Sequence, residues 1–266
     1  MLTNLHTHTT FCDGKNTPEE VVLAAIDRGF ASIGFSGHGY TPFDPRYCLQ
    51  DTTGYIAEIK RLRAAYAGKI SIYLGVEEDA FAPVMRTDFD YIIGSSHYLR
   101  VDGQFYPIDS SPAHFARCLD VFGGDAEKLA DAYYRSFCAY IGERRPDIVG
   151  HFDLITKYEE TGEPHFFCSG QYLALAERYL LRALEADVIF EVNTGAIARG
   201  LRTSPYPHER LLHRICRSGG KITLSSDCHR AELLDAAFAE TEQLLREIGF
   251  AQVYVLDEGR FKPISL

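Results

Sequence analysis

The sequence contains no apolar run long enough to cross a membrane and no recognisable export signal. Its first residues, MLTNLHTHTT, lack both the basic segment and the apolar stretch that a signal peptide needs. Lysine and arginine total 27 against 37 acidic residues, and the resulting net charge of −10 disfavours a nucleic-acid partner. A phosphorylated small molecule stays compatible with this charge, because bound cations can reverse the local field. We therefore expect a cytoplasmic protein that binds neither membranes nor nucleic acid.

The cysteine pattern gives no sign of a disulfide framework. The seven cysteines are odd in number, and no two of them have CxxC spacing. Together with the missing export signal, this predicts reduced thiols that mostly fill the core. Cys12 and Cys228 each stand beside a suspected site residue, which leaves a thiolate ligand open as an alternative.

No Gly/Ser-rich linker, charge run, internal repeat or low-complexity tract divides the 266 residues. A chain of this length can bury a substantial core as one domain or as two small ones. Because nothing in the composition marks a boundary, we expect a single domain over residues 1–266.

Short β-rich runs alternate with helical patterns along the chain. Strands are predicted at 2–6, 32–38, 70–77, 91–97, 147–151, 188–193, 221–227 and 251–256. Helices are predicted at 17–29, 52–66, 125–143, 169–185, 208–219 and 231–249. Repeated β-then-α units give parallel strands with right-handed crossovers, and seven or eight such units predict a closed (β/α) barrel of the α/β class.

The stretch NLHTHTTFCDGKN at residues 4–16 places two histidines at the end of the first strand. His6 and His8 are two residues apart, so both imidazoles lie on one face of that strand. Two neutral imidazoles suit a transition-metal ion, and Asp13 could supply an oxygen ligand. A polar strand end that leads into an Asp13-Gly14 turn explains the same residues. The stretch alone leaves both interpretations open.

Potential metal ligands recur at the ends of the predicted strands. They are His6, His8, His38, Glu77, His97, His151, Asp227 and His229. In a (β/α) barrel these ends meet on one face, and so many buried polar groups would be costly without cations to satisfy them. With Asp13 there are nine candidates, too many for one ion, and the mixture of nitrogen and oxygen suits two or three ions of Zn²⁺, Mn²⁺ or Fe²⁺. The other histidines (114, 165, 208 and 213) need no such role.

Taken together, these motifs resemble the polymerase and histidinol phosphatase (PHP) superfamily. The resemblance lies in His6-x-His8, Asp13-Gly14, FSGHG at His38, GVE at Glu77, GSSH at His97, GHFD at His151 and SSDCH at 225–229. The motifs run in the family's order from residue 6 to residue 229. The length, HFDLITKY (151–158) and EVNTGAIARG (191–200) are similar to the stand-alone histidinol-phosphate phosphatases of that superfamily.

The resemblance implies a distorted (β/α)₇ barrel with a trinuclear metal centre at the C-terminal strand ends. On the family pattern one ion is held by His6, His8, Glu77 and Asp227. Glu77 would bridge to a second ion on His97 and His151, and a third would lie on Asp13, His38 and His229. Family members often carry a histidine where this chain has Asp13, so the chain departs from the pattern at the third ion.

The expected chemistry is phosphate-ester hydrolysis by a hydroxide that bridges the metal ions, because cations lower the pKa of bound water. Glu77, Asp227 and His229 are the residues that we assign to catalysis. The substrate phosphate also needs cationic side chains, and Arg199, Arg202 and Lys157 follow strand ends on the same rim. Arg199 is the first choice because its guanidinium matches phosphate geometry, although each of the three could instead be a solvated loop charge.

The predicted activity is that of a metal-dependent phosphomonoesterase that hydrolyses L-histidinol phosphate to L-histidinol and phosphate. One alternative is the same chemistry on another small phosphate ester or a nucleotide. Another is a non-catalytic or nucleic-acid-processing PHP module, which the acidic balance and the complete ligand set disfavour. The expected partner is a small phosphate ester, and the sequence does not fix the oligomeric state.

Overall fold

Seven parallel strands form the central sheet of the protein, whose computed structural model describes residues 1–161 and 166–266. They are β1 (Thr3–Asn4), β2 (Ser32–Phe35), β3 (Ser71–Asp79), β4 (Tyr91–Ser95), β7 (Ile148–Val149), β8 (Ile189–Asn193) and β9 (Lys221–Ser225), adjacent in that order. Each strand lies within or next to a predicted one. The sheet therefore has the parallel order that repeated β/α units predict.

The sheet closes on itself just beyond the ends of β1 and β9. The His8 amide donates to the Cys228 carbonyl at 2.9 Å, and the Cys228 amide donates to the His6 carbonyl at 3.2 Å. Asn4 adds a side-chain hydrogen bond to Ser226 Oγ at 2.7 Å. This closure confirms the predicted seven-stranded (β/α) barrel.

Eight α-helices accompany the strands in the described ranges. They are α1 (Pro18–Asp27), α2 (Thr52–Ala65), α3 (Pro112–Val121), α4 (Ala126–Arg144), α5 (Gly170–Leu184), α6 (Gly195–Ala198), α7 (Glu209–Arg217) and α8 (Phe238–Ile248). A reciprocal capping box begins α1, because Thr17 and Glu20 each accept a hydrogen bond from the other's amide. Gly29, at φ +73°, follows its last turn. In the described part of the chain, no helix combines the length and the apolar character that a membrane span requires.

The predicted strand at 251–256 is not an eighth barrel strand. It forms β10 (Gln252–Asp257), which pairs antiparallel with β11 (Arg260–Ser265) in a separate hairpin. Leu256 of this hairpin packs in one cluster with Ile148 and Ile189, the first residues of their strands. The hairpin thus covers the N-terminal end of the barrel, opposite to the predicted site.

A second hairpin and a helix were not predicted between β4 and α4. The hairpin consists of β5 (Tyr98–Val101) and β6 (Gln104–Pro107), and α3 follows it. Also, the helix predicted over 231–249 starts with a 3₁₀ turn at Ala231–Leu233 before α8 begins. The additions after β4 lie directly after His97, so they form part of the wall around the C-terminal strand ends.

Candidate metal centre and active site

The nine predicted ligands lie together at the C-terminal end of the barrel. Seven of them line a cavity of about 590 Å³, and His6 and His8 are fully buried behind them. The volume is within the range of small-molecule sites. The structure therefore brings all nine residues into one site.

Glu77 occupies the centre of this cluster and presents its two carboxylate oxygens to different histidines. Its Oε2 lies 3.3 Å from His6 Nε2, 3.5 Å from His8 Nε2 and 2.8 Å from His38 Nδ1. Its Oε1 lies 3.0 Å from His151 Nε2 and 3.3 Å from His97 Nε2. A carboxylate with one oxygen toward each half of a ligand set has the geometry of a bridging ligand.

Asp13 and Asp227 complete the cluster on the far side of Glu77. Asp227 Oδ1 lies 3.2 Å from His8 Nε2, and Asp13 Oδ2 lies 3.2 Å from His229 Nε2. In the described chain, four sets have potential ligand atoms within 4.8 Å of one another: His6/His8/Asp227, His6/Glu77/His151, His38/Glu77/His97 and His8/Asp13/His38/His229. Cys12 and Cys228 are in none of these sets. The division among ions that the resemblance implied stays a prediction, because His6, His8, His38 and Glu77 each belong to two sets.

The hydrogen bonding of the cluster is incomplete in the way that a metal site requires. Buried polar atoms without a hydrogen-bond partner include His6 Nε2, His8 Nε2, Glu77 Oε2 and Asp13 Oδ1. Such atoms are costly to bury unless something satisfies them. All four belong to the ligand sets, so the donor set fits divalent cations with nitrogen and oxygen ligands.

The electrostatics of the site keep its carboxylates ionised. Burial alone would raise the pKa of Glu77, but the imidazoles around it, first that of His38, hold this pKa well below its usual range. Burial likewise opposes the ionisation of Asp227, and the Arg199 guanidinium contributes most to a pKa well below normal. Burial, together with the imidazole of His229, lowers the pKa of His8 to about 3. The carboxylates are therefore ionised and His8 is neutral at pH 7. Burial lowers the pKa of His6, His97 and His229, but the carboxylates beside them raise it above the usual range, so these imidazoles would release a proton on binding an ion.

The three predicted phosphate-binding residues have different surroundings. Arg199 lines the cavity and donates to Asp227 Oδ2 at 3.1 Å, with about 30 % of its side chain exposed. Lys157 also lines it, and its Nζ lies 3.1 Å from Asp109 Oδ2. The structure does not place Arg202 on the cavity wall. Its guanidinium is buried over the Tyr206 ring, at 4.6 Å from the centroid, and it donates to Thr156. Arg202 thus holds two loops together.

Several residues near the site were not predicted. Asp44, Arg46, Lys15 and Asp109 line the cavity, and so does His114, for which the sequence suggested no role. Most of them lie on loops or in α3, where strand periodicity gives no signal. His165 is outside the described residues. The remaining histidines, His208 and His213, are in or next to α7, away from the cavity lining.

Glu191 is a buried carboxylate beside the ligands that the sequence analysis missed. It lies on β8, is 1 % exposed, and its Oε1 is 2.5 Å from His6 Nδ1. Alternation along β8 places it on the same face as Ile189, a residue of the cluster inside the barrel. A carboxylate in the middle of the apolar run VIFEVN (188–193) therefore indicates a buried functional residue, and the sequence alone could have identified it.

Residues 4–195 match the family described as the PHP domain, which is more than half of the chain. The chain belongs to the PHP domain family. Seven of the nine clustered ligands lie within the matched range of this PHP domain. Asp227 and His229 follow it on β9 and its adjoining loop.

Relatives of this PHP domain extend the similarity over nearly the whole chain. A Schizosaccharomyces pombe protein with the name "Probable histidinol-phosphatase" is 28 % identical over an alignment of 279 residues. The alignment covers 96 % of this chain and 89 % of that protein. The histidinol-phosphatase of Bacillus subtilis is 27 % identical over 252 residues, 85 % of this chain and 92 % of that protein.

A solved structure shows the same fold. The histidinol phosphate phosphatase of Lactococcus lactis, crystallised with zinc, L-histidinol and phosphate, superposes with a TM-score of 0.71 at 20 % identity. The superposition covers 98 % of each chain. The PHP domain and its flanking residues therefore share one architecture with that enzyme.

Proposed function

We propose that this protein is a metal-dependent phosphomonoesterase that hydrolyses L-histidinol phosphate to L-histidinol and phosphate, with residues 1–266 acting as one catalytic unit. The observation that carries the proposal is the convergence of six imidazoles and three carboxylates on one cavity that Arg199 also lines. The names of the relatives support this substrate. We also propose that the protein works in the cytoplasm, in keeping with its free cysteines.

Two or three divalent ions of Zn, Mn or Fe are the proposed cofactors, held by His6, His8, Asp13, His38, Glu77, His97, His151, Asp227 and His229. When bound, such ions supply a nucleophile from water at neutral pH and neutralise charge on the phosphate oxygens. Glu77 orients the ligand set from its centre, with one oxygen toward each half. Asp227 and His229 complete the catalytic group at the cavity floor, where Asp227 also fixes the Arg199 guanidinium.

The cavity has groups suited to both ends of the substrate. Arg199 provides two N–H donors for phosphate oxygens, and Lys157 adds a second positive charge on the wall. Asp44 and Asp109 line the same cavity, each paired with a cationic side chain, Arg46 and Lys157 respectively, and they are the acidic groups that an ammonium group could approach there. This distribution favours a small zwitterionic phosphate ester over a nucleic acid, whose backbone carries negative charge throughout.

A panel of phosphate esters tests the substrate. We expect kcat/KM for L-histidinol phosphate to exceed that for an aryl phosphate and for a nucleoside monophosphate, with Mn²⁺, Zn²⁺ or Fe²⁺ supplied separately. The reason is that, of the three esters, only L-histidinol phosphate carries both a phosphate and an ammonium group. A higher kcat/KM for either comparison ester would reject the substrate and retain only the phosphoesterase chemistry.

Replacement of Arg199 by alanine should raise KM strongly and leave the metal content unchanged, because its guanidinium lines the cavity outside the ligand sets and Asp227 keeps its contacts with His6 and His8. Arg199→Lys should restore binding only in part, since an ammonium provides charge without the paired donors. Steady-state kinetics and elemental analysis measure both effects.

Arg202→Ala is the matched control for Arg199→Ala. It removes a guanidinium of the same loop that is buried against Tyr206, so we expect a lower Tm and an almost unchanged KM in the folded fraction. If Arg202→Ala raised KM as much as Arg199→Ala, the assignment of the phosphate clamp would be wrong.

A further inference from the structure

The carboxylate of Glu191 contacts two of the proposed metal ligands without belonging to any of the ligand sets. Its Oε1 accepts from His6 Nδ1 at 2.5 Å, and its Oε2 accepts from the His151 amide at 2.9 Å. Asn193 Nδ2 donates to Oε2 at 2.9 Å, and Ser225 Oγ donates to Oε1. Four donors from four different strands or strand ends therefore meet at one buried carboxylate.

These contacts orient the His6 ring directly and anchor the main chain that carries the His151 ring. A carboxylate at Nδ1 keeps the His6 proton on that atom, so that Nε2 carries the free lone pair. His6 Nε2 lies 3.3 Å from Glu77 Oε2 and has no hydrogen-bond partner. His151 is anchored through its main chain, and its Nε2 lies 3.0 Å from Glu77 Oε1. Both nitrogens thus face Glu77, one at each oxygen.

We propose that Glu191 is a positioning residue of the metal centre, which locks the ring of His6 and the backbone of His151 so that both present Nε2 to the ions that share Glu77. The inference rests on the proposed metal centre but not on the identity of the substrate. Because the carboxylate holds two ligands at once, its loss should loosen both halves of the site together.

The first experiment compares metal affinity in two variants of similar burial. Metal-depleted wild-type protein, Glu191→Gln and Glu78→Gln are titrated with Zn²⁺ against a chromogenic chelator. Glu78 is the matched control, because it is also 1 % exposed but lies on the other face of β3 from Glu77, where Arg144 and Tyr140 bind it. We expect affinity to fall roughly 10–100-fold in Glu191→Gln and to stay at the wild-type value in Glu78→Gln. Wild-type affinity in Glu191→Gln would overturn the inference.

The second experiment needs no variant at position 191 and so remains decisive if Glu191→Gln does not fold. Long-range ¹H–¹⁵N correlation spectra of the zinc-loaded wild-type protein report which nitrogen of each imidazole carries the proton, with the His6 signals assigned from a His6→Gln sample. We expect the His6 proton on Nδ1, and a proton on Nε2 would overturn the inference. A protein that binds zinc in this way but does not hydrolyse histidinol phosphate would contradict the proposed function alone.

Discussion

Glu77→Gln should lower kcat/KM by several orders of magnitude while the protein stays folded. The substitution keeps the shape of the side chain but removes the negative charge that both halves of the ligand set share. Metal affinity depends on ligand charge, and the chemistry depends on the ions, so activity should fall far more than stability. Steady-state kinetics, elemental analysis and a thermal melt of the same sample measure the three quantities.

Glu78→Gln is the control for Glu77→Gln, because it shows what the loss of another buried carboxylate on β3 does to activity and stability. The Glu78 side chain lies on the other face of the strand, where Arg144, Tyr140 and the Val84 amide bind it. Glu78→Gln should therefore cost roughly 1–3 kcal/mol in the free energy of unfolding with little change in kcat. A loss of activity in Glu78→Gln comparable to that in Glu77→Gln would show that the wrong carboxylate had been assigned to the metals.

Removal of the metal ions should abolish activity and lower the Tm. Without ions the buried His6 Nε2, His8 Nε2 and Glu77 Oε2 have no partner, so the folded state loses a large stabilising contribution. A metal present at about 100 times its Kd contributes roughly 2.7 kcal/mol, which corresponds to a Tm difference of roughly 5–10 °C for a chain of this size.

The measurement is a thermal melt and an activity assay before and after chelation, with elemental analysis of protein purified without chelator. Re-addition of Zn²⁺, Mn²⁺ or Fe²⁺ should restore both properties and would identify the effective ion. An active, folded protein with less than about one ion per chain would refute the metal centre.

The barrel and the site cluster could be predicted because they follow from periodicity. Alternation within each strand and the parallel order of the units place His38, Glu77 and His151 at the C-terminal end of the barrel, independently of the loop conformations. The hairpin β5–β6 was missed although its turn carries a strong signal. Asp102 and Gly103 both have positive φ, as a two-residue hairpin turn requires.

The surroundings of single loop residues could not be predicted in the same way. Arg199 and Arg202 are three positions apart in the same loop, yet one lines the cavity and the other is buried over Tyr206. That difference depends on contacts with segments distant in the sequence, such as Thr156 and Asp227. Composition and spacing contain no information about such contacts.

The closure of the barrel has a consequence for how the protein is made. Asn4 is hydrogen-bonded to Ser226, 222 positions later in the chain. His6 and His8 contact Asp227 at the same seam, where β1 and β9 close the barrel. A ribosome that adds roughly 5–20 residues per second needs on the order of ten to forty seconds between the two sides of that seam. During this interval the first two histidines are exposed on an unfinished chain. A chain that terminates before residue 227 therefore lacks Asp227 and His229, which belong to two of the four ligand sets.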